Sequence, residues 1–146
     1  MTQVQGGTAS NVIPAEARCE VDVRFFYQSE ADRVDAAIRS LEPMLPGSTL
    51  EITGSINRPP MERNARMEAT VAQARRIAEG IGMTLYEDSA GGASDGNFIA
   101  ATGMPVLDGL GAHGAGMHAQ HEHILIRSLT RRTALVAALM RDWQEF

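Results

Sequence analysis

Apolar and polar residues alternate along two segments in the first third of the chain. Residues 17–26 read ARCEVDVRFF, with Ala17, Cys19, Val21, Val23 and Phe25 separated by charged residues. This period of two predicts a half-buried strand, because successive side chains of an extended chain point to opposite faces. Residues 2–5 predict a short partner strand. The alternation of Leu50, Ile52, Gly54 and Ile56 predicts another strand.

A helical spacing of apolar residues lies between these strands. The residues on one predicted face are Val34, Ala37, Ile38, Leu41 and Leu45. We expect Ser29 to cap this helix, with Asp32 three residues later, and the helix to end between Pro43 and Gly47. Strands with one polar face and a single amphipathic helix predict an open sheet covered on one side. One helix is too narrow to cover that sheet, so we expect further elements of this domain to precede residue 1.

The second half has the alternating pattern of an α/β protein. Asn57-Arg58-Pro59-Pro60 predicts a domain boundary, since two prolines cannot continue a strand. Asn64 is expected to cap a helix that runs to about Glu79. Residues 83–86 and 105–107 predict short strands, and residues 95–101 predict a short helix. A last helix is expected from about Ser128, with a buried face of Leu129, Val136, Leu139, Met140 and Trp143.

Composition excludes several classes of protein. The chain has 146 residues, 44% of them hydrophobic and 21% charged, which is typical of a globular protein. A net charge of −5 and the absence of a basic run argue against a nucleic-acid partner. No apolar stretch approaches the roughly 20 residues of a membrane span, and the first residues do not resemble a signal peptide. Cys19 is the single cysteine, which excludes an intrachain disulfide and fits a reducing compartment such as the cytoplasm.

All four histidines, His113, His118, His121 and His123, lie in one glycine-rich segment. Neutral imidazoles are common metal ligands, but four on one loop rarely point at one ion. His118 is the best single candidate, because it follows a flexible Gly-Ala-Gly sequence and precedes a segment that leads back into regular structure. The alternatives are that the histidines are exposed surface residues, or that they bind metal adventitiously as a group.

The turn Gly91-Gly92-Ala93-Ser94-Asp95 has two interpretations. Its N–H groups could form a cradle for a carboxylate or phosphate. Alternatively, it is an ordinary turn into a helix, with Ser94 or Asp95 as the cap. It does not match a P-loop or a dinucleotide-binding motif.

Four other polar residues are candidates. Arg58, beside two prolines, could clamp a carboxylate or be a solvated boundary residue. Arg24 lies on the polar face of its strand, where a cross-strand ion pair is the simpler role. Asn11 is most simply a turn residue. Asp108 follows an apolar segment where α/β ligand sites lie, although a capping or turn role explains it equally well.

Four motifs, in this order along the chain, resemble those of a known family: GGTASNVIPAEARCEVDVRF, NRPPME, GGASDGNF and PVLDGLGAHGAGMHAQHEHI. Together they resemble the C-terminal portion of the dinuclear zinc metallopeptidases, which include glutamate carboxypeptidase, acetylornithine deacetylase, succinyl-diaminopimelate desuccinylase and aminoacylase. The resemblance implies an α/β and α+β chain. Residues 1–57 would be the second half of a ferredoxin-like antiparallel lid, or dimerisation, domain. Residues 58–146 would be the C-terminal segment of the catalytic domain.

The resemblance also implies a function and a site. The family hydrolyses the amide bond of N-acyl or peptidyl amino acids with two zinc ions and a glutamate general base. His118 resembles a zinc ligand, followed by Glu122, and Arg58 resembles the arginine that holds the substrate carboxylate. Asn11 and Arg24 resemble lid residues that reach the substrate, and Gly91, Gly92, Ala93 and Ser94 resemble the wall of the carboxylate pocket.

The sequence also departs from the family. It contains no His-x-Asp motif and no Glu-Glu pair, so at most one family zinc ligand and no general base are present. We therefore expect a fragment of a zinc-dependent hydrolase that is inactive alone and that associates with another copy or with a missing N-terminal half. The alternative is a dimerisation or carboxylate-binding module without catalysis.

Overall fold

A computed structural model describes residues 2–144, which form four helices and two antiparallel sheets of two strands each. In chain order the elements are β1 (Gln3–Gly6), β2 (Ala17–Glu20), α1 (Gln28–Arg39), α2 (Ala65–Gly80), α3 (Gly96–Ala101), β3 (Gly114–Ala115), β4 (His123–Ile124) and α4 (Ile126–Asp142). The chain is thus a mixed α/β structure with short antiparallel strand pairs.

The first sheet confirms the partner strand predicted at the N-terminus. β1 and β2 pair antiparallel, from Gln3 opposite Glu20 to Gly6 opposite Ala17. The prediction that the second strand continues to residue 26 is wrong. Val21 and Val23 remain 53% and 38% exposed. Alternation determines which side chains share a face, but a strand also needs a hydrogen-bonded neighbour, and no other described residue provides one.

The three other predicted strands are also wrong. Residues 50–56, 83–86 and 105–107 form no strand in the described part of the chain. Leu50 and Ile56 are 49% and 38% exposed. A short apolar segment indicates that its side chains are buried, but it does not show whether the backbone pairs with another strand. Leu85 and Leu107 do pack, partly buried, against the helical core.

Helix α1 begins one residue before the predicted cap. Tyr27 is the N-cap and its side chain makes no capping bond, so the expected cap by Ser29 is wrong. The backbone N–H of Gln28 instead donates to Oε1 of Glu62 at 2.6 Å. The helix ends at Arg39, earlier than predicted, and Leu41 and Leu45 are exposed.

The core lies between α2 and α4. Asn64 caps α2 as predicted, with its side-chain oxygen accepting from the N–H of Met67 at 3.0 Å. The fully covered members of the core are Ala74, Ala78, Leu135 and Leu139. Small alanines on α2 let the larger leucines of α4 approach closely.

The buried face of α4 agrees with the prediction in part, because Leu139 is buried and Trp143 packs against the core. The helix starts at Ile126, and Leu135 and Ala138 are buried, whereas Leu129 and Met140 are 43% and 82% exposed. Two neighbouring apolar stripes exist on this helix, because adjacent residues are about 100° apart. Packing against Ala74 and Ala78 selects the stripe that contains Leu135. No helix among residues 2–144 is long and apolar enough to cross a membrane.

Candidate functional site

Arg58 lies at the junction between the two halves of the sequence and is held on one side only. Its Nη1 donates to the carbonyl oxygen of Ser94 at 2.9 Å and to Oδ1 of Asp95 at 2.8 Å. Its guanidinium carbon lies 4.8 Å from the centre of the Phe98 ring, a cation–π geometry. Both hydrogen bonds that it makes to residues 2–144 leave from Nη1. The Nη2–Nε edge therefore remains available for a bidentate anion.

Ser94 and Asn97 together close the turn before α3. The Ser94 side-chain oxygen accepts from the N–H of Gly96 at 3.1 Å, and the Ser94 N–H donates to Oδ1 of Asn97 at 2.9 Å. This reciprocal pair resembles a capping box. Asn97 is 8% exposed, and its Nδ2 donates to the carbonyl of Pro59 at 2.9 Å. The turn is therefore fastened to the segment that carries Arg58.

Both residues of the capping interpretation lie at the start of α3. Asp95 is the N-cap residue, but its side chain makes no capping bond, and the Ser94 oxygen accepts from the Gly96 N–H instead. The Asp95 carboxylate pairs with Arg58 and is 92% exposed. An ion pair this exposed contributes little stability and can be exchanged for another anion.

Asp108 connects to the same turn. Its Oδ2 accepts from the Ser94 hydroxyl at 2.6 Å, and its Oδ1 accepts from the N–H of Gly109 at 2.7 Å. The backbone that follows is tied to α4 by Arg132. The Arg132 guanidinium donates to the carbonyls of Gly109, of Leu110 at 3.1 Å and of Gly111 at 2.8 Å.

Arg24 approaches the glycine turn from the first half of the sequence. A methyl group added to Gly91 would lie 3.4 Å from Cδ of Arg24. The guanidinium donates from Nε and Nη2 to Asp22, both at 3.1 Å. The expected ion pair therefore exists, but it joins residues two apart rather than neighbouring strands.

His118 lies at the tip of a hairpin formed by β3 and β4. Gly114 pairs with Ile124, and a side chain at Gly114 would run into the carbonyl oxygen of His123. His118 has φ of +65°, and it is the one residue other than glycine with positive φ in the described part of the chain. Its N–H donates to Oε2 of Glu122 at 3.1 Å. The Glu122 carboxylate thus stabilises the turn that presents His118.

The other three histidines have local structural contacts. The His113 N–H donates to Oγ of Ser128 at 2.9 Å, which fixes the base of the hairpin to the start of α4. His121 lies against Gly116, where an added Cβ would be 2.7 Å from its ring. Nδ1 of His123 is 2.9 Å from the carbonyl oxygen of His121.

The described residues do not form a zinc site by themselves. Among residues 2–144, no group of three or more His, Cys, Asp and Glu side chains is placed to hold a metal ion. A tight zinc site needs three or four protein ligands. His118 can supply one.

The structure brings together part of the candidate set. Arg58, Ser94 and the Gly91 turn are adjacent, with Arg24 beside them. Asn11 lies in an exposed turn and makes no hydrogen bond to another described residue, and none joins the His118 side chain to the Arg58 group. Sequence reasoning missed Asn97 and Phe98. Asn97 could have been found from its spacing, because a capping residue is expected three positions after Ser94.

Comparison with known proteins places these residues in a family context. A model described as Peptidase family M20/M25/M40 matches residues 4–142. Carboxypeptidase G2 of Pseudomonas sp. (strain RS-16) is 30% identical over 148 residues, which cover 97% of this chain and 35% of the relative. Succinyl-diaminopimelate desuccinylase of Thioalkalivibrio sulfidiphilus is 30% identical over 145 residues, 97% of this chain and 37% of the relative.

A second desuccinylase, from Methylobacterium radiotolerans, is 32% identical over 139 residues, with 92% of this chain and 34% of the relative covered. The chain thus spans about a third of the length of these curated relatives. No solved structure gave a significant match.

Proposed function

Because the chain belongs to peptidase family M20/M25/M40, we propose that it forms one wall of the active site of a hydrolase that cleaves the amide bond of N-acyl or peptidyl amino acids. Residues 1–57 are assigned to the second half of a ferredoxin-like lid domain, and residues 58–146 to the C-terminal segment of the catalytic domain. The chain recognises substrate and supplies one metal ligand. The general base and the other ligands come from outside these 146 residues.

The observation that carries this proposal is that the Arg58 guanidinium makes hydrogen bonds to residues 2–144 through Nη1 alone. Two contacts and the Phe98 ring fix its Nη1 side, while the Nη2–Nε edge has no partner among residues 2–144. A planar cation fixed in this way suits the free carboxylate of an amino acid, which accepts two parallel N–H bonds. Gly91 lies against Arg24, and Gly91–Ala93 lead directly into the Ser94 turn. The Gly91–Ala93 backbone and Arg24 are therefore assigned to the wall of the carboxylate pocket. Asn11 is assigned to the lid surface that reaches the substrate.

His118 is assigned as the single zinc ligand of this chain. Its left-handed backbone supports this, because strained conformations in folded proteins are concentrated at functional sites. The described residues do not complete a zinc site, so no part of the hydrolytic step is assigned to them. In the complete family site two zinc ions would activate the attacking water.

A titration with two small probes tests the proposal. N-acetylglycine carries the free carboxylate, whereas N-acetylglycinamide has the same shape without the charge. We expect the purified chain to bind the first more tightly, with chemical-shift changes in its NMR spectrum at Arg58 and Phe98. Arg58→Lys keeps the charge but loses the paired N–H geometry, so it should reduce the preference. Equal binding of both probes by the wild type would refute carboxylate recognition.

A hydrolysis assay tests the division of roles. The chain should release no glycine from N-acetylglycine with added zinc, because it has neither the general base nor the remaining ligands. Zinc-dependent release by the pure chain would overturn this assignment.

The second candidate is a dimerisation or carboxylate-binding module without catalysis. It requires only the Arg58 turn, whose contacts are all made by residues of this chain. Zinc stoichiometry separates the two. A complex with the N-terminal half should bind two ions per pair if the chain belongs to a hydrolase, and none if it is a pure binding module.

A further inference from the structure

We propose that Asp108 is a positioning residue for Arg58, acting through Ser94. This inference rests on the proposed role of Arg58 in carboxylate binding. It assigns a specific task to a carboxylate that makes no direct contact with the guanidinium.

The polar groups of Ser94 are all engaged. Its N–H donates to the Asn97 side chain at 2.9 Å, and its carbonyl accepts from Arg58 at 2.9 Å and from the Asn97 N–H at 3.2 Å. Its hydroxyl donates to Asp108 at 2.6 Å and accepts from the Gly96 N–H at 3.1 Å. The bond to Asp108 anchors Ser94, which carries this carbonyl, to the segment after residue 108. The position of Nη1 of Arg58 therefore depends on Asp108 as well as on the Asn97 and Asp95 contacts.

The bond to Asp108 is one of the two charge-assisted contacts of Ser94, the other being the bond from Arg58 to its carbonyl. An O–H donor to an ionised carboxylate at this distance is a charge-assisted hydrogen bond, about twice as strong as a neutral one. Asp108 is itself held by the Gly109 N–H, and the next residues are clamped to α4 by Arg132. A series of hydrogen bonds thus connects α4 to the Arg58 guanidinium through Arg132, Asp108 and Ser94.

The hydrogen bonds of Ser94 determine which groups remain free to bind a substrate carboxylate. The Ser94 hydroxyl donates to Asp108 and its N–H donates to Asn97, so neither is free to donate to a substrate carboxylate. Arg58 supplies the recognition, while Ser94 and Asp108 position its guanidinium together with Asp95 and Phe98.

The test uses the purified chain and two readouts. The first is the rotation of the Arg58 guanidinium about its Nε–Cζ bond, followed by the line shapes of its nitrogen-bound protons in ¹⁵N NMR. Asp108→Ala should speed this rotation several-fold. Asp88→Ala is the matched control, because Asp88 also accepts from the N–H of the next residue, at 2.8 Å, without contacting Ser94. It should leave the rotation unchanged.

The second readout is the preference for N-acetylglycine over N-acetylglycinamide. Asp108→Ala should lower this preference about tenfold, the effect of losing one charge-assisted hydrogen bond. Ser94→Ala removes the same bond from the other side together with the bond from the Gly96 N–H, so it should lower the preference at least as much. Ser94→Thr keeps the hydroxyl and should keep the preference. If Asp108→Ala does not fold, Ser94→Ala and Ser94→Thr can therefore be compared in its place.

Unchanged Arg58 rotation in folded Asp108→Ala, or in Ser94→Ala, would overturn the proposal. If the wild type shows no preference between the probes, carboxylate recognition fails while the rotation still decides whether Asp108 positions Arg58. If the wild type prefers the carboxylate and Asp108→Ala keeps that preference with slow rotation, only the positioning role fails.

Discussion

The backbone N–H of His118 donates to Oε2 of Glu122 at 3.1 Å while His118 itself has φ of +65°. A residue with a Cβ in this left-handed region costs about 1 kcal/mol more than glycine. We therefore expect His118→Gly to raise the free energy of unfolding by about 1 kcal/mol. The same change should abolish any zinc binding through the imidazole. Urea unfolding and zinc titration calorimetry measure the two effects.

Met117→Gly is the control for this experiment. Met117 is its neighbour and is 77% exposed, but its φ is not positive. Glycine there should bring no gain in stability. A loss of stability in His118→Gly would show that the imidazole contributes more to folding than its backbone conformation costs.

A core substitution should be far more costly than a surface one on the same helix. Leu135 is fully buried against α2, whereas Met140 is 82% exposed. Leu135→Ala is expected to reduce the free energy of unfolding by about 2–5 kcal/mol, because it leaves a cavity. Met140→Ala should change it by less than about 0.5 kcal/mol. Similar costs for both would mean that α4 packs through its other stripe.

The acid dependence of stability should have a contribution from Glu87. Hydrogen bonding from Arg63 at 2.7 Å lowers the pKa of Glu87; burial opposes this effect, and the charges of Arg63 and Arg75 reinforce it. Because the pKa of Glu87 is lower in the folded state, its ionised form stabilises the protein above the unfolded pKa of about 4.3. This stabilisation is lost as the pH falls through the folded-state pKa. Glu87→Gln should therefore lower the urea midpoint at pH 7 and converge with the wild type in acid.

Glu79→Gln provides the comparison for this profile. Glu79 lies on α2 and makes no ion pair with another described residue, so its substitution should lower the urea midpoint at pH 7 less than Glu87→Gln does. A constant difference between Glu87→Gln and wild type at all pH values would exclude the ionisation of Glu87 as the cause.

The first half of the sequence should promote self-association. Ile13, Met44 and Leu45 are 91%, 96% and 73% exposed. Large exposed apolar side chains favour contact with another protein surface. Sedimentation velocity should show a sedimentation coefficient that rises with concentration, and Leu45→Glu should reduce the rise. Met140→Glu, in the other half, should not. Monomeric behaviour of the wild type at all concentrations would contradict this expectation.

The sequence was most informative where a signal is local. Asn64 caps α2 as predicted from the residues around it, and a strand in residues 2–5 does pair with the first alternating segment as predicted, although the register was not predicted. The helix boundaries were less accurate, because a carboxylate distant in sequence, Glu62, takes the role expected of Ser29.

Strand predictions were wrong where the strand needed a hydrogen-bonded neighbour from a distant part of the sequence. Val21 and Leu50 have the alternation of strands but no hydrogen-bonded neighbour among residues 2–144, and local pattern carries no information on that neighbour. The site followed the same rule. Arg58 and Ser94 were identified as separate candidates from their neighbours in sequence, but the bond between them spans 36 positions and is visible only in the folded chain.

The close pairing at Gly114 limits which sequences this hairpin can tolerate. Any side chain there would collide with the carbonyl of His123, a backbone atom that cannot rotate away. A library randomised at codon 114 and selected for folded protein should therefore return glycine alone, while one randomised at Met117, exposed in the same hairpin, should return many residues. The hairpin tip can thus be re-engineered freely only if its first paired residue is left unchanged.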